Sequence, residues 1–162
     1  MRNQRMSGTV GSAILQEELV YIYIQTVKLV RGTMERVRTR KRSVRKMSES
    51  TEQQALFEWA EIASRKTPEL KLMYAVPNGG KRNITTAARL KKEGVKPGVP
   101  DICLPVPCGG YHGLYIEMKI DRNKPSANQR WWIEQLQRQG YKVNVCYGWG
   151  EAVKVITDYM TG

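Results

Sequence analysis

From Ser48 onward the sequence predicts a mixed α/β domain with its elements in the order αβαββαβα, which implies a mixed sheet covered by helices. Three observations predict it. Helix-period and strand-period segments alternate to the C-terminus, and Gly or Pro punctuates most junctions between them. The 41% apolar and 26% charged fractions are those of a globular chain. At 162 residues, the chain is long enough for one domain with a real core and hardly for two.

Residues 1–47 read as a basic extension and residues 48–162 as the compact domain. Within the extension, Leu19–Val30 carries two signals: its Val, Ile and Tyr content favours a strand, while Glu17, Glu18 and Leu19 suit a helix start. Gln25 and Lys28 interrupt this stretch, and it falls short of the roughly 20 apolar residues that span a bilayer. It also follows two acids, which does not suit a signal peptide, so no membrane segment is expected. Arg36, Arg38, Arg40, Lys41, Arg42, Arg45 and Lys46 follow without an acid between them, as in a solvated arm or one that lies along phosphates. Met47 is a candidate internal start.

In the domain, "SESTEQQALFEWAEIASRK" reads as a helix. Ser50 and Gln53 have capping-box spacing, Leu56, Trp59 and Ala63 form an apolar stripe, and Glu61 and Arg65 lie one turn apart as a surface pair. "LKLMYAVP" reads as a short strand followed by the "NGG" turn, and "ITTAARLKKEG" as a second helix closed by Gly94. "GVKPGVP" is a stiff loop leading into the strand "DICLPV". "CGGYHG" then turns the chain into the partner strand "LYIEMKI". "SANQRWWIEQLQRQG" is a helix with capping-box spacing at Ser126 and Gln129 and Gly140 at its end. "YKVNVCYGW" is a last strand and "GEAVKVITDYM" a last helix.

The net charge of +12 points to a polyanionic partner, nucleic acid before anionic membrane, but names no activity. Cys103, Cys108 and Cys146 form no framework or zinc-knuckle spacing and read as reduced thiols of a cytosolic protein.

The chemistry concentrates in the predicted hairpin. Alternation along a strand points Glu117 and Lys119 the same way and Met118 the other. Asp101 begins the preceding strand, so the hairpin brings it alongside Glu117. Two carboxylates meeting there repel each other unless a cation lies between them. Mg²⁺ or Mn²⁺ suits such a site, with the backbone carbonyl of Met118 as a further oxygen ligand. An adjacent ammonium would hold an attacking water or steady developing negative charge. A salt-bridged, solvent-facing stripe also explains Glu-x-Lys. Against it, "LYI" and "MKI" make this a strand apolar on both faces, and Pro100 stiffens the backbone before Asp101.

"VPDICLPV…GLYIEMK" resembles the PD-(D/E)xK nuclease motif. The wider pattern, "PNGGKRN…ARLKKEGVKPGVPDICLPVP…GLYIEMKIDRNKPSANQRWWIEQLQRQGYKVNVCYGWGEAVKVI", resembles the VRR-NUC (virus-type replication-repair nuclease) domain, continuously from about Ser50. The resemblance implies a restriction-endonuclease-like sheet and metal-dependent cleavage of DNA, with Mg²⁺ or Mn²⁺ and no small-molecule cofactor. It matches Asp101 and Glu117 to the metal-binding acids, Lys119 to the catalytic lysine, and Gln129 to a glutamine that many nucleases of this superfamily place on the helix after this strand, standing behind the metal ligands or contacting phosphate. The capping box at Ser126 competes for the same Gln129 side chain. The family also uses an acid on the first helix. Glu52 is the choice, because it lies one turn before Leu56, whereas Glu58 lies opposite the stripe; Glu49 is the runner-up, and a first-turn acid suiting the helix dipole is the plain alternative.

Asn78, Gly79, Gly80, Lys81 and Arg82 form a loop suited to phosphates, where a plain turn is the alternative, and Lys91, Lys92 and Lys96 would extend that surface. Trp131 and Trp132 are adjacent and cannot share one helix face, so one is expected in the core and the other partly exposed. His112 reads as an exposed loop histidine. Small phage members of the family act as dimers on branched DNA, so the resemblance implies a homodimeric endonuclease acting on Holliday-junction-like DNA in phage replication, recombination or repair, in the host cytoplasm. The rival readings are a DNA-binding module of this fold that does not cut, and an RNA- or membrane-associating protein driven by the basic extension. The complete set of acids and Lys119 favours the nuclease.

Overall fold

The computed structural model describes Tyr21, Ile22, Ile24 and residues 48–77 and 84–162. Tyr21, Ile22 and Ile24 are helical; the rest of Leu19–Val30, the basic run and Met47 lie outside the described residues. The elements are α1 (Glu49–Ala63), a 3₁₀ turn (Pro68–Leu72), β1 (Tyr74–Ala75), α2 (Ile84–Lys92), β2 (Ile102–Leu104), β3 (Leu114–Lys119), α3 (Ala127–Arg138), β4 (Lys142–Tyr147) and α4 (Trp149–Thr161). The order is αβαββαβα, as the sequence predicts, with the 3₁₀ turn added.

The chain forms two compact units, one containing α1 and α4 and the other spanning Leu72–Tyr147. In the first, α1 and α4 pack together. Ala55, Leu56, Trp59, Ala60 and Ala63 of α1 are buried, as are Ala152, Val153, Ile156 and Tyr159 of α4. Each fully buried large apolar side chain contributes about 1.5–3 kcal/mol, so this stripe holds the pair of helices. Two local expectations shift. The N-cap of α1 is Ser48, whose hydroxyl accepts the Thr51 N–H, so the helix starts two residues before the Ser50 spacing suggested. Thr51 Oγ1 also lies 2.9 Å from Ser48 Oγ, an early hydroxyl pair that favours the upstream cap. No Glu61–Arg65 ion pair forms among the described residues, because α1 ends at Ala63 with Ser64 as its C-cap and Arg65 lies past the last turn.

The second unit holds the four-stranded mixed sheet, in the order β1-β2-β3-β4. β1 and β2 are antiparallel, β2 and β3 are antiparallel, and β3 and β4 are parallel through α3, which packs on β4. The predicted strand Leu70–Pro77 is mostly not strand: Pro68 fixes a helical φ, the chain closes a 3₁₀ turn, and only Tyr74–Ala75 pair. Tyr74, Cys103 and Tyr115 stand side by side across β1, β2 and β3. A hydrogen bond to Cys103, and then burial, pushes the Tyr74 phenol up to about 12; burial first, and then Cys103, pushes the Tyr115 phenol up as well. The three cysteines are free thiols, Cys103 and Cys146 buried.

β3 lies between β2 and β4, and five of its six residues are buried, which makes it a strand covered on both faces. α3 begins with the predicted capping box and ends at Gly140 (φ +80), where Gly140 N–H bonds to the Gln137 carbonyl and Tyr141 N–H to that of Leu136. A Cβ at Gly140 would stand 2.8 Å from the His112 ring, so the glycine also seats that exposed histidine.

Candidate active site

The register aligns Ile102 with Ile116, so one residue further along, Asp101 stands across from Glu117. The Asp101 Oδ2 accepts the Met118 backbone N–H at 2.9 Å. Its own carbonyl accepts the Val76 N–H at 2.8 Å, which ties the start of β2 to the end of β1. The aspartate is therefore fixed against the peptide between Glu117 and Lys119.

Glu117 is 0% exposed and Lys119 6%, both on the same face of β3. Lys119 Nζ lies 2.5 Å from Glu117 Oε1 and donates to the Met118 carbonyl at 3.1 Å. A solvent-facing stripe is excluded by that burial. The two ions meet where water is scarce, which multiplies their interaction and requires each to be held by donors or acceptors.

Gln129 makes two contacts at the start of α3. Its Oε1 accepts the Ser126 N–H at 2.8 Å, closing the capping box, while its Nε2 donates to Glu117 Oε1. An amide has a donor end and an acceptor end, so the cap and the acid do not compete for the same atoms. Asp101, Glu117, Met118, Lys119 and Gln129 are thus brought together at one end of β2 and β3. The donor set is two carboxylates and a carbonyl. These hard oxygens fit Mg²⁺ or Mn²⁺ and suit soft metals poorly. Among the described residues, no three His, Cys, Asp or Glu side chains group closely enough to hold a metal by themselves.

The model of the VRR-NUC domain family matches residues 38–149. The chain belongs to the VRR-NUC family. This is a family of DNA nucleases, generally dependent on a divalent metal. A solved structure described as a VRR_NUC domain protein shares 29% identity with a TM-score of 0.61, covering 72% of this chain and 91% of that one. The mixed four-stranded sheet flanked by helices is of the restriction-endonuclease-like kind, consistent with that likeness. No curated protein matches. The VRR-NUC match begins inside the basic run, upstream of the Ser50 limit read from the motifs, and ends at the start of α4.

Glu52 is half-buried in α1, and its Oε2 accepts the Trp149 N–H at 2.9 Å. The N-cap of α4 is Gly148, which has no side chain to cap with, so Glu52 supplies the anion that the helix start favours. Glu58 is exposed and Glu49 intermediate. This contact joins residues 97 apart, so no local spacing announces it. Trp131 is 55% exposed, while Trp132 is half-buried with its indole N–H on the Pro97 carbonyl at 3.2 Å. Asn78, Gly79, Gly80, Lys81 and Arg82 lie outside the described residues. Lys91, Lys92 and Lys96 are exposed. No helix among the described residues is long and apolar enough to cross a membrane.

Proposed function

We propose that this VRR-NUC chain is a Mg²⁺- or Mn²⁺-dependent DNA endonuclease whose chemistry is carried by Asp101, Glu117, Lys119 and Gln129. The supporting observation is the burial of Glu117 and Lys119 as a contacting pair directly beside Asp101. Asp101, Glu117 and the Met118 carbonyl would hold the cation, which when bound supplies Lewis acidity at the phosphodiester. Lys119 Nζ, already directed by Glu117 and Met118, holds the attacking water or neutralises charge developing on the phosphate. Gln129 fixes the rotamer of Glu117, so that one carboxylate edge stays committed to Lys119. Glu52 is the first-helix acid that the resemblance assigns to the metal. Asn78, Gly79, Gly80, Lys81 and Arg82, with their glycines and cations, suit the DNA backbone.

The substrate we propose is branched DNA of the four-way-junction type, cut by a homodimer during phage replication, recombination or repair. The support is the likeness to small stand-alone phage VRR-NUC proteins, together with the need for two coordinated cuts at a strand exchange, which a twofold dimer supplies. Labelled four-way junction, flap, duplex and single-stranded DNA, incubated with Mg²⁺ or Mn²⁺, test both levels. Preferential junction cutting is expected. Equal cutting of linear duplex removes the junction preference and leaves the nuclease, whereas binding with no cutting of any substrate selects the non-cleaving module.

A further inference from the structure

The loop from Lys96 to Pro100 leads directly into Asp101, and it is held against the first turns of α3. Two contacts hold it. Trp132 donates its indole N–H to the Pro97 carbonyl at 3.2 Å. At Gly98, where φ is +88, an added Cβ would stand 2.7 Å from Asn128 Cβ, 2.8 Å from the Asn128 carbonyl carbon and 3.0 Å from Gln129 N. Two of those three atoms are backbone, so no side chain can rotate out of the way. The loop backbone therefore comes up against the helix backbone at Asn128 and the following Gln129, the residue whose amide grips Glu117.

We infer that Gly98 and Trp132 are positioning residues that lock the loop carrying Asp101 to the helix carrying Gln129. Asp101 on the Met118 N–H and Gln129 on Glu117 Oε1 are then set as one unit. The inference rests on the nuclease reading of this site. The clamp is not required to cap the helix, since Ser126 and Gln129 complete the capping box between themselves. What it adds is registry. Only glycine tolerates both the positive φ and the backbone approach, and Trp132 supplies the indole N–H that reaches the loop carbonyl.

Trp132→Phe removes the N–H and keeps a ring, and Gly98→Ala adds one methyl. Two readouts decide: kcat and KM on the best-cut DNA, and solvent exchange of the Gln129 side-chain amide protons by NMR, with the Ile116 backbone amide as the reference for global stability. Trp132→Phe is expected to lower kcat about 10-fold and Gly98→Ala up to about 100-fold, the scale of a misplaced reacting group, with KM nearly constant. Exchange at Gln129 should accelerate in both while Ile116 stays protected. In a Gln129→Ala background, the kcat losses should shrink at least about threefold, because one of the two positioned groups is gone and only the placement of Asp101 is left to disturb. Undiminished losses in that background, or unchanged Gln129 exchange, overturn the inference. If Gly98→Ala fails to fold, Trp132→Phe decides alone. If the wild-type chain cuts nothing, the nuclease reading fails, and the exchange rates still judge the clamp.

Discussion

Taking Glu117 and Lys119 out of water costs roughly several kcal/mol for each ion, which their mutual attraction offsets only with good geometry. A pair that serves stability alone is often replaced without loss by apolar residues of similar size. That separates structure from chemistry at the residue scale. Lys119→Ala leaves a buried carboxylate without its ammonium and should cost about 3–5 kcal/mol in urea unfolding. The double variant Glu117→Gln/Lys119→Met should recover most of that stability and still cut no DNA. Recovery of both would show the pair to be structural. A second residue-level check lies on the same sheet. Below pH 10, Tyr74 is protonated in both the folded and unfolded chains. As pH rises, the unfolded chain ionises first, because the folded phenol is raised to about 12, so the stability held through the Cys103 contact is lost between pH 10 and 12. Tyrosinate absorbance in the folded and denatured protein, with Tyr74→Phe as the control, measures this.

At the scale of elements, α3 links the fold to the site. Ser126→Ala deletes the hydroxyl that caps Gln129 N–H and should cost about 1 kcal/mol, read as a lower urea midpoint with unchanged m. The capping box, the paired β2 and β3, and the Leu56–Trp59–Ala63 stripe were all legible in the sequence, because each is a short-range spacing. The acid–lysine cluster was legible for the same reason: a hairpin turns two nearby motifs into one site. What the sequence did not disclose depends on distant contacts. The seat of Glu52 on Trp149 is one, and the meeting of Gly98 with Asn128 is another. "GVKPGVP" signalled a stiff loop and the Trp131–Trp132 pair one ring in the core, but neither ring is fully buried, and nothing in either stretch named the other as partner. The misplaced N-cap at Ser50 and the overlong first strand are boundary effects, where one hydroxyl or one proline outweighs the periodic pattern.

For the whole molecule, the formal charge of +12 predicts DNA affinity governed by released counterions. The logarithm of the association constant should fall linearly with the logarithm of salt concentration, with a slope of about −0.9 per phosphate neutralised on duplex DNA. Removing residues 1–46 takes away the run from Arg36 to Lys46. Fluorescence anisotropy should then show a shallower slope and weaker binding, while cleavage by residues 47–162, which keep Asp101, Glu117, Lys119 and Gln129, persists. Loss of cutting together with binding would instead place the function in the basic extension. The most direct measurement is cleavage of labelled DNA with Mg²⁺ or Mn²⁺ by the wild-type chain and by Glu117→Gln, with DNA affinity measured on both. Cutting by the wild type, none by Glu117→Gln, and equal affinity are expected if Glu117 carries the chemistry. Cutting by Glu117→Gln at the wild-type rate would contradict that role.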